Sequence, residues 1–158
     1  MPLAQGELEL LQTETAQRLL TGTIAARLAY IGLDGKPRAV PIWFQWTGEE
    51  LVMGSFHGAA KARALRANPD LAVTIDTEGF PAEVLLLRGV ATITDVDGFV
   101  PEYLQLLRRY LGEEGAAGFE AQFEGQPVRM HRIALRPSWV GLIDFQTRLP
   151  GVLGGIQG

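Results

Sequence analysis

The residues with the clearest chemical capacity lie in one stretch. Met53-Gly54-Ser55 leads through the small-residue turn His57-Gly58-Ala59-Ala60 into Lys61-Ala62-Arg63-Ala64-Leu65-Arg66, and Asn68-Pro69 stops the run. The residue before a proline is pushed out of the α region, which marks that end. No acidic residue occurs between Glu50 and Asp70, whereas Lys61, Arg63 and Arg66 all fall there. A helix N-terminus carries about half a positive charge, so a lysine in its first turn is unfavourable by itself. An anion at that end reverses the balance: free backbone N–H groups, the Ser55 hydroxyl and the Lys61 ammonium would together cradle a phosphate. The competing account is an ordinary short helix with a solvated basic face. Nucleotide-binding and acyl-transfer signatures are excluded by spacing: Gly-x-x-x-x-Gly-Lys-Ser/Thr is missing, and Gly-Ser-Phe-His-Gly is not a nucleophile elbow.

A second candidate is the stretch 38–46. It alternates, with Val40, Ile42, Phe44 and Trp46 on one face and Ala39, Pro41, Trp43 and Gln45 on the other. Proline cannot donate to a sheet ladder, so Pro41 belongs to an edge strand or to a backbone that borders something other than a strand. In the second case the backbone of Val40, Pro41, Ile42 and Trp43 faces a flat ligand. His57 is either a phosphate or substrate contact or a solvated loop histidine. Glu83 is either a proton donor or an outward-facing strand residue. No acid–base pair emerges, and no catalytic residue is assigned.

The elements that must position these groups are short strands. Residues 7–20 are expected as an amphipathic helix stopped near Gly22, and 27–33 as a strand, with Asp34-Gly35 as a hairpin turn. Residues 38–46 and 51–56 complete a three-strand meander that feeds the short basic helix ending at Asn68-Pro69. Further strands are expected at 71–77 and 82–94. The second of these should be buried on both faces and bulged at Gly89. Residues 96–112 read as a helix whose Phe99, Tyr103, Leu106, Leu107 and Tyr110 point into the core. Two last strands, 130–136 and 138–145, join at Pro137. This pattern implies a mainly β fold with flanking helices, a six- to seven-stranded antiparallel barrel. A helical segment 1–24, a barrel 25–145 and a glycine-rich tail 146–158 divide the 158 residues.

The formal charge of −4 argues against a nucleic-acid partner. There is no cysteine, which removes disulfides, thiolate metal sites and cysteine nucleophiles. His57 and His131 are the two histidines, too few and too isolated for a histidine metal site. No apolar run approaches the roughly 18 residues of a membrane span, so no membrane partner and a cytoplasmic location are expected.

The run Asp34-Gly35-Lys36-Pro37-Arg38-Ala39-Val40-Pro41-Ile42-Trp43-Phe44, then Met53-Gly54-Ser55, then Lys61-Ala62-Arg63-Ala64-Leu65-Arg66-Ala67-Asn68-Pro69 resembles the pyridoxamine-phosphate-oxidase-like split-barrel superfamily. It looks closest to the branch of flavin- and deazaflavin-dependent reductases. The resemblance spans 25–145. It implies a homodimer of split barrels with a cofactor, FMN or the deazaflavin F420, at each of two sites between subunits. By position, Val40, Pro41, Ile42 and Trp43 would line the tricyclic ring, and Gly54, Ser55, Ala60 and Lys61 would hold the phosphate. Trp139 would reach the other subunit's cofactor. Two cationic positions of the vitamin-making oxidases are missing here. Val40-Pro41-Ile42-Trp43-Phe44-Gln45 replaces Arg-x-Val-Leu-Leu-Lys, and Ala60-Lys61 replaces Arg-Lys, so pyridoxamine phosphate oxidation is not the expected reaction. The expected activity is hydride transfer between the cofactor and a small organic substrate. The alternative is a non-catalytic carrier of flavin, deazaflavin or haem with the same fold; a structural dimer without cofactor is the third.

Overall fold

Leu28, Leu51, Met53, Leu85, Leu87 and Ile133 are fully buried and recur at every second residue of their strands, so one face of each strand points inward. The strands are β1 (Ala26–Ile31), β2 (Pro37–Ile42), β3 (Gln45–Trp46), β4 (Leu51–Phe56), β5 (Asp70–Asp76), β6 (Glu83–Asp97) and β7 (Arg129–Asp144). The helices are α1 (Glu14–Thr21), α2 (Ala60–Ala67) and α3 (Pro101–Ala121). They are seen in a computed structural model that describes residues 3–148. Most of the expected tail, from residue 149 on, lies outside the described residues.

All strand pairs are antiparallel, in the order β2-β1-β5-β6-β7-β4-β3. The two edge strands, β2 and β3, are joined by Trp43 and Phe44 alone. Three Cα steps reach no more than about 11 Å, so the sheet must curl until its edges nearly meet. The result is a seven-stranded barrel split between β2 and β3, in agreement with the expected class. Leu10, Leu19 and Leu20 from the N-terminal segment pack into the same core as the barrel interior.

Several elements differ from expectation. The helix over 7–20 is two pieces, a 3-10 turn over Leu8–Gln12 and then α1, because the Thr13 hydroxyl accepts the Ala16 N–H and caps a new start. The strand over 38–46 is broken at Trp43-Phe44. β2 pairs with β1 and β3 pairs with β4, so the meander is not continuous. β6 is not buried on both faces: Leu85 and Leu87 are inaccessible, whereas Val90 is 56% exposed. Its expected bulge at Gly89 is present as a register shift between Arg88 and Gly89. Gly89 stands opposite Pro137 and Arg88 opposite Trp139, so β7 passes through its proline as one strand instead of two. The bulge absorbs the missing N–H. α3 starts at Pro101 and breaks its helical path at Gly112 (φ 77°, ψ 172°), then resumes to Ala121. Gly112 thus ends the first helical stretch as expected, but the chain beyond it is helical too.

Candidate functional site

Phosphate-binding capacity at the start of α2 depends on which of its cations are already satisfied. Arg63 donates to the Gly58 carbonyl at 2.6 Å. Arg66 pairs with Asp95 of β6 at 2.7 Å. Lys61 has no ion pair among the described residues, and its side chain is half-buried. Ala59 precedes α2 without a side-chain cap, and its carbonyl accepts the Ala62 N–H at 3.2 Å, so among the described residues the Ala60 and Lys61 N–H groups are left without an acceptor. One ammonium without an ion pair and two amide donors without an acceptor, among the described residues, therefore fall in the first turn of α2.

Beside that turn is a cleft of about 340 Å³ lined by Ala25, Pro41, Ile42, Trp43, Gly54, Lys61 and Tyr103. The volume lies near the lower end of the range for small-molecule sites, about 300–1,000 Å³. β2 supplies one wall through Pro41 and Ile42, and the β2–β3 joint adds Trp43. β4 and α2 supply Gly54 and Lys61. Of the nine expected residues, Pro41, Ile42, Trp43, Gly54 and Lys61 line the cleft. Val40 precedes Pro41 on β2, its side chain packed against the core, and Ala60 is the exposed first residue of α2. Ser55 is buried on the face of β4 that carries Leu51 and Met53, beside the cleft and not in its lining. Trp139 lies away from it, its ring under the Arg88 guanidinium at 3.9 Å. Pro41 is on an edge strand, opposite Arg27 of β1, and also borders the cleft, so both accounts of that proline apply.

The aromatic wall is held by α3. Trp43 stacks on Tyr110 with centroids 4.7 Å apart and planes 6° from parallel. The Tyr110 hydroxyl donates to the Ile24 carbonyl at 2.9 Å. Arg109 donates to the Gly22 carbonyl at 2.8 Å and also bonds the Gln45 side chain and the Phe44 carbonyl, which clamps the β2–β3 joint. Leu106 and Leu107 are core residues as expected, and Tyr103 packs against the smaller buried clusters as expected but also lines the cleft, which periodicity alone does not show. The available signal was its chemistry: an apolar stripe does not need a phenol, and tyrosine is used where one end meets water. Burial pushes the Tyr103 phenol up, so it stays a neutral donor.

Gly54 is where α3 crosses β4. A Cβ there would stand 2.5 Å from Tyr103 Cδ2 and 2.9 Å from Met130 Cε. Gly54→Ala should therefore displace Tyr103 and destabilise the fold by about 1–3 kcal/mol, the usual result of overpacking. Chemical denaturation checks this; an unchanged midpoint would show that α3 lies off β4.

Next to Tyr103, Glu102 accepts from Arg132 of β7 at 2.7 Å, and Arg132 also reaches Glu50 at 3.4 Å. The Arg132 hydrogen bond holds the Glu102 carboxyl below the usual value, against the opposing effect of burial. A carboxyl depressed on folding stabilises the protein above its ordinary value, and that contribution is lost as pH falls through the folded value. The melting temperature should hold from neutral pH to about 5 and fall below about 4.5. Glu102→Gln should flatten that fall, and melting curves that decline in parallel would contradict the role of this pair. Among the described residues, no group of three His, Asp or Glu side chains forms a metal site, and no helix is long and apolar enough to cross a membrane.

The pyridoxamine 5'-phosphate oxidase family profile matches residues 12–143. No curated protein matches the sequence. A solved F420 reductase is similar at 26% identity with a TM-score of 0.59, over 79% of this chain and 94% of that one. A conserved hypothetical protein from Mycobacterium tuberculosis aligns over 100% of this chain and 98% of its own, at 19% identity and a TM-score of 0.66. The haem storage protein HutZ of Vibrio cholerae shares 19% identity over 81% of this chain and 90% of its own, at a TM-score of 0.56. The last two likenesses concern the fold alone.

Proposed function

This chain belongs to the pyridoxamine 5'-phosphate oxidase family, and from that premise we propose that it is an oxidoreductase using a flavin-type cofactor, FMN or F420. The observation that carries the reading is the cleft itself, whose lining brings together Lys61, without an ion pair among the described residues, and the strip Pro41–Trp43. Lys61 and the first-turn amides of α2 hold the phosphate. Pro41, Ile42 and Trp43 lie along the ring, with Trp43 fixed from behind by Tyr110. Ser55 and Ala60 flank the phosphate end, and Val40 supports the ring strip from the core side. The bound cofactor supplies hydride transfer to or from a small organic substrate, which leaves the protein to position, cover and tune it. Tyr103 closes one side of the cleft and offers a protonated phenol. Trp43 is 38% exposed at the rim, a suitable boundary for a second copy of the chain in a homodimer. Trp139 of that second copy is the proposed contact across the boundary. A cytoplasmic location goes with this reading.

The carrier alternative is favoured by one observation. Lys61 and Tyr103 are the cleft's titratable side chains, and neither forms an acid–base pair. An absorbance spectrum of the purified chain, followed by titration with FMN, F420 and haem and then assay with a reductant and candidate acceptors, separates the two. Tight flavin or deazaflavin binding with turnover is expected. Binding of haem alone, or binding without turnover under any pairing, would favour the carrier.

A further inference from the structure

Two polar residues are buried among the described side chains, Ser55 at 6% and His131 at 3% exposure. They are register partners on β4 and β7, so both side chains occupy the same face, beneath the turn that leads into α2. Past His131 that face of β7 turns apolar, with Ile133 and Leu135 fully buried. A leucine would fill the volume of His131 without the cost of burying a polar ring, so its presence calls for a use of its nitrogens.

Both nitrogens are engaged. Nε2 accepts the Gly58 N–H at 3.2 Å, and Nδ1 lies 2.6 Å from the Asp95 carboxylate. Acceptance at Nε2 places the ring proton on Nδ1, donated to Asp95. Asp95 is held ionised by Arg66 first and His131 second. The Gly58 carbonyl is taken by Arg63. The turn is thus gripped at both faces of one peptide-bearing residue, and Gly58 itself has φ +87°, a conformation that suits glycine. The His57 ring lies over His131 with centroids 5.3 Å apart.

We propose that His131 is a positioning residue for the anion site, fixing through the Gly58 N–H the turn from which α2 and its Lys61 project. The inference rests on the phosphate reading above. Without the Nε2 acceptor the exposed Gly58 turn keeps only the His57 N–H bond to the Arg129 carbonyl as its hold on β7, and the start of α2 with Lys61 shifts. His131 touches no substrate; it acts through the backbone.

The test compares FMN with riboflavin, which differ by the phosphate, in fluorescence titrations of the wild type, Lys61→Ala, His131→Leu and His131→Gln. The wild type should prefer FMN, and His131→Leu should lose about tenfold of that preference. His131→Gln, whose side-chain oxygen can replace Nε2 as acceptor, should stay within about threefold of the wild type. A His131→Leu protein with the wild-type preference, or a Gln variant as impaired as Leu, overturns the inference while a weakened Lys61→Ala keeps the anion site. Equal binding of FMN and riboflavin by the wild type removes the anion site and this inference with it. Nitrogen-15 NMR of the wild-type imidazole gives an answer even if the Leu variant fails to fold. A protonated Nδ1 with a bare Nε2 is expected, and the reverse tautomer overturns it.

Discussion

Phe44→Ala should destabilise the protein by about 3–5 kcal/mol, the loss expected when a fully buried phenylalanine is truncated. Phe44 is inaccessible to solvent and lies in the two-residue joint between β2 and β3. Its ring meets Tyr110 edge-on at 6.4 Å and lies 5.1 Å from the Arg109 guanidinium, so its removal leaves a cavity beside the clamp. Its backbone neighbour Trp43 faces the cleft, so the same substitution should loosen the aromatic wall as well as the fold. Denaturant unfolding gives the stability, and cofactor titration of the residual folded protein gives the second effect. A loss below about 1 kcal/mol would mean that the joint is not part of the core.

The next largest effect is expected on binding. Lys61→Ala should weaken cofactor binding, titrated with both FMN and F420, by about 1.5–3 kcal/mol, as for a lost hydrogen bond to a charged group. Lys61 has no ion pair among the described residues, so the melting temperature of the free protein should barely move. That contrast separates it from Arg63 and Arg66, whose guanidinium groups hold the Gly58 carbonyl and Asp95 and whose loss would act on structure. Wild-type affinity of the Lys61→Ala protein for both cofactors would remove the anion from the cleft.

The local parts of this molecule were legible in its sequence. Asp34-Gly35 makes the predicted hairpin because its turn chemistry is contained in neighbouring residues: the Asp34 carboxylate accepts the Lys36 N–H, and Gly35 takes φ +78°. α2 ends where predicted because Asn68-Pro69 must end it. Gly89 announced its bulge by interrupting an apolar run. What stayed hidden depends on partners far along the chain. Alternation continues through Trp43 and Phe44 as if nothing happened, and only the change of neighbour from β1 to β4 breaks the strand. Pro137 reads as a terminator until Gly89 is set opposite it. The acid-free stretch from Glu50 to Asp70 suggested three available cations, but Asp95 arrives from β6 to neutralise one. Tyr103 and Tyr110 share helical spacing with Leu106 and Leu107, and spacing alone cannot tell a residue that fills the core from one that walls a cleft. His131 drew no functional reading because its value lies in a backbone N–H that is 73 residues away.

The most direct measurement is a crystal structure of the chain with FMN or F420 bound, whichever the titrations show to bind. The expected density places a phosphate oxygen within about 3 Å of Lys61 Nζ, with the ring along Pro41, Ile42 and Trp43. A phosphate bound elsewhere, with the Lys61 ammonium left in solvent, would contradict the site on which the proposed function stands.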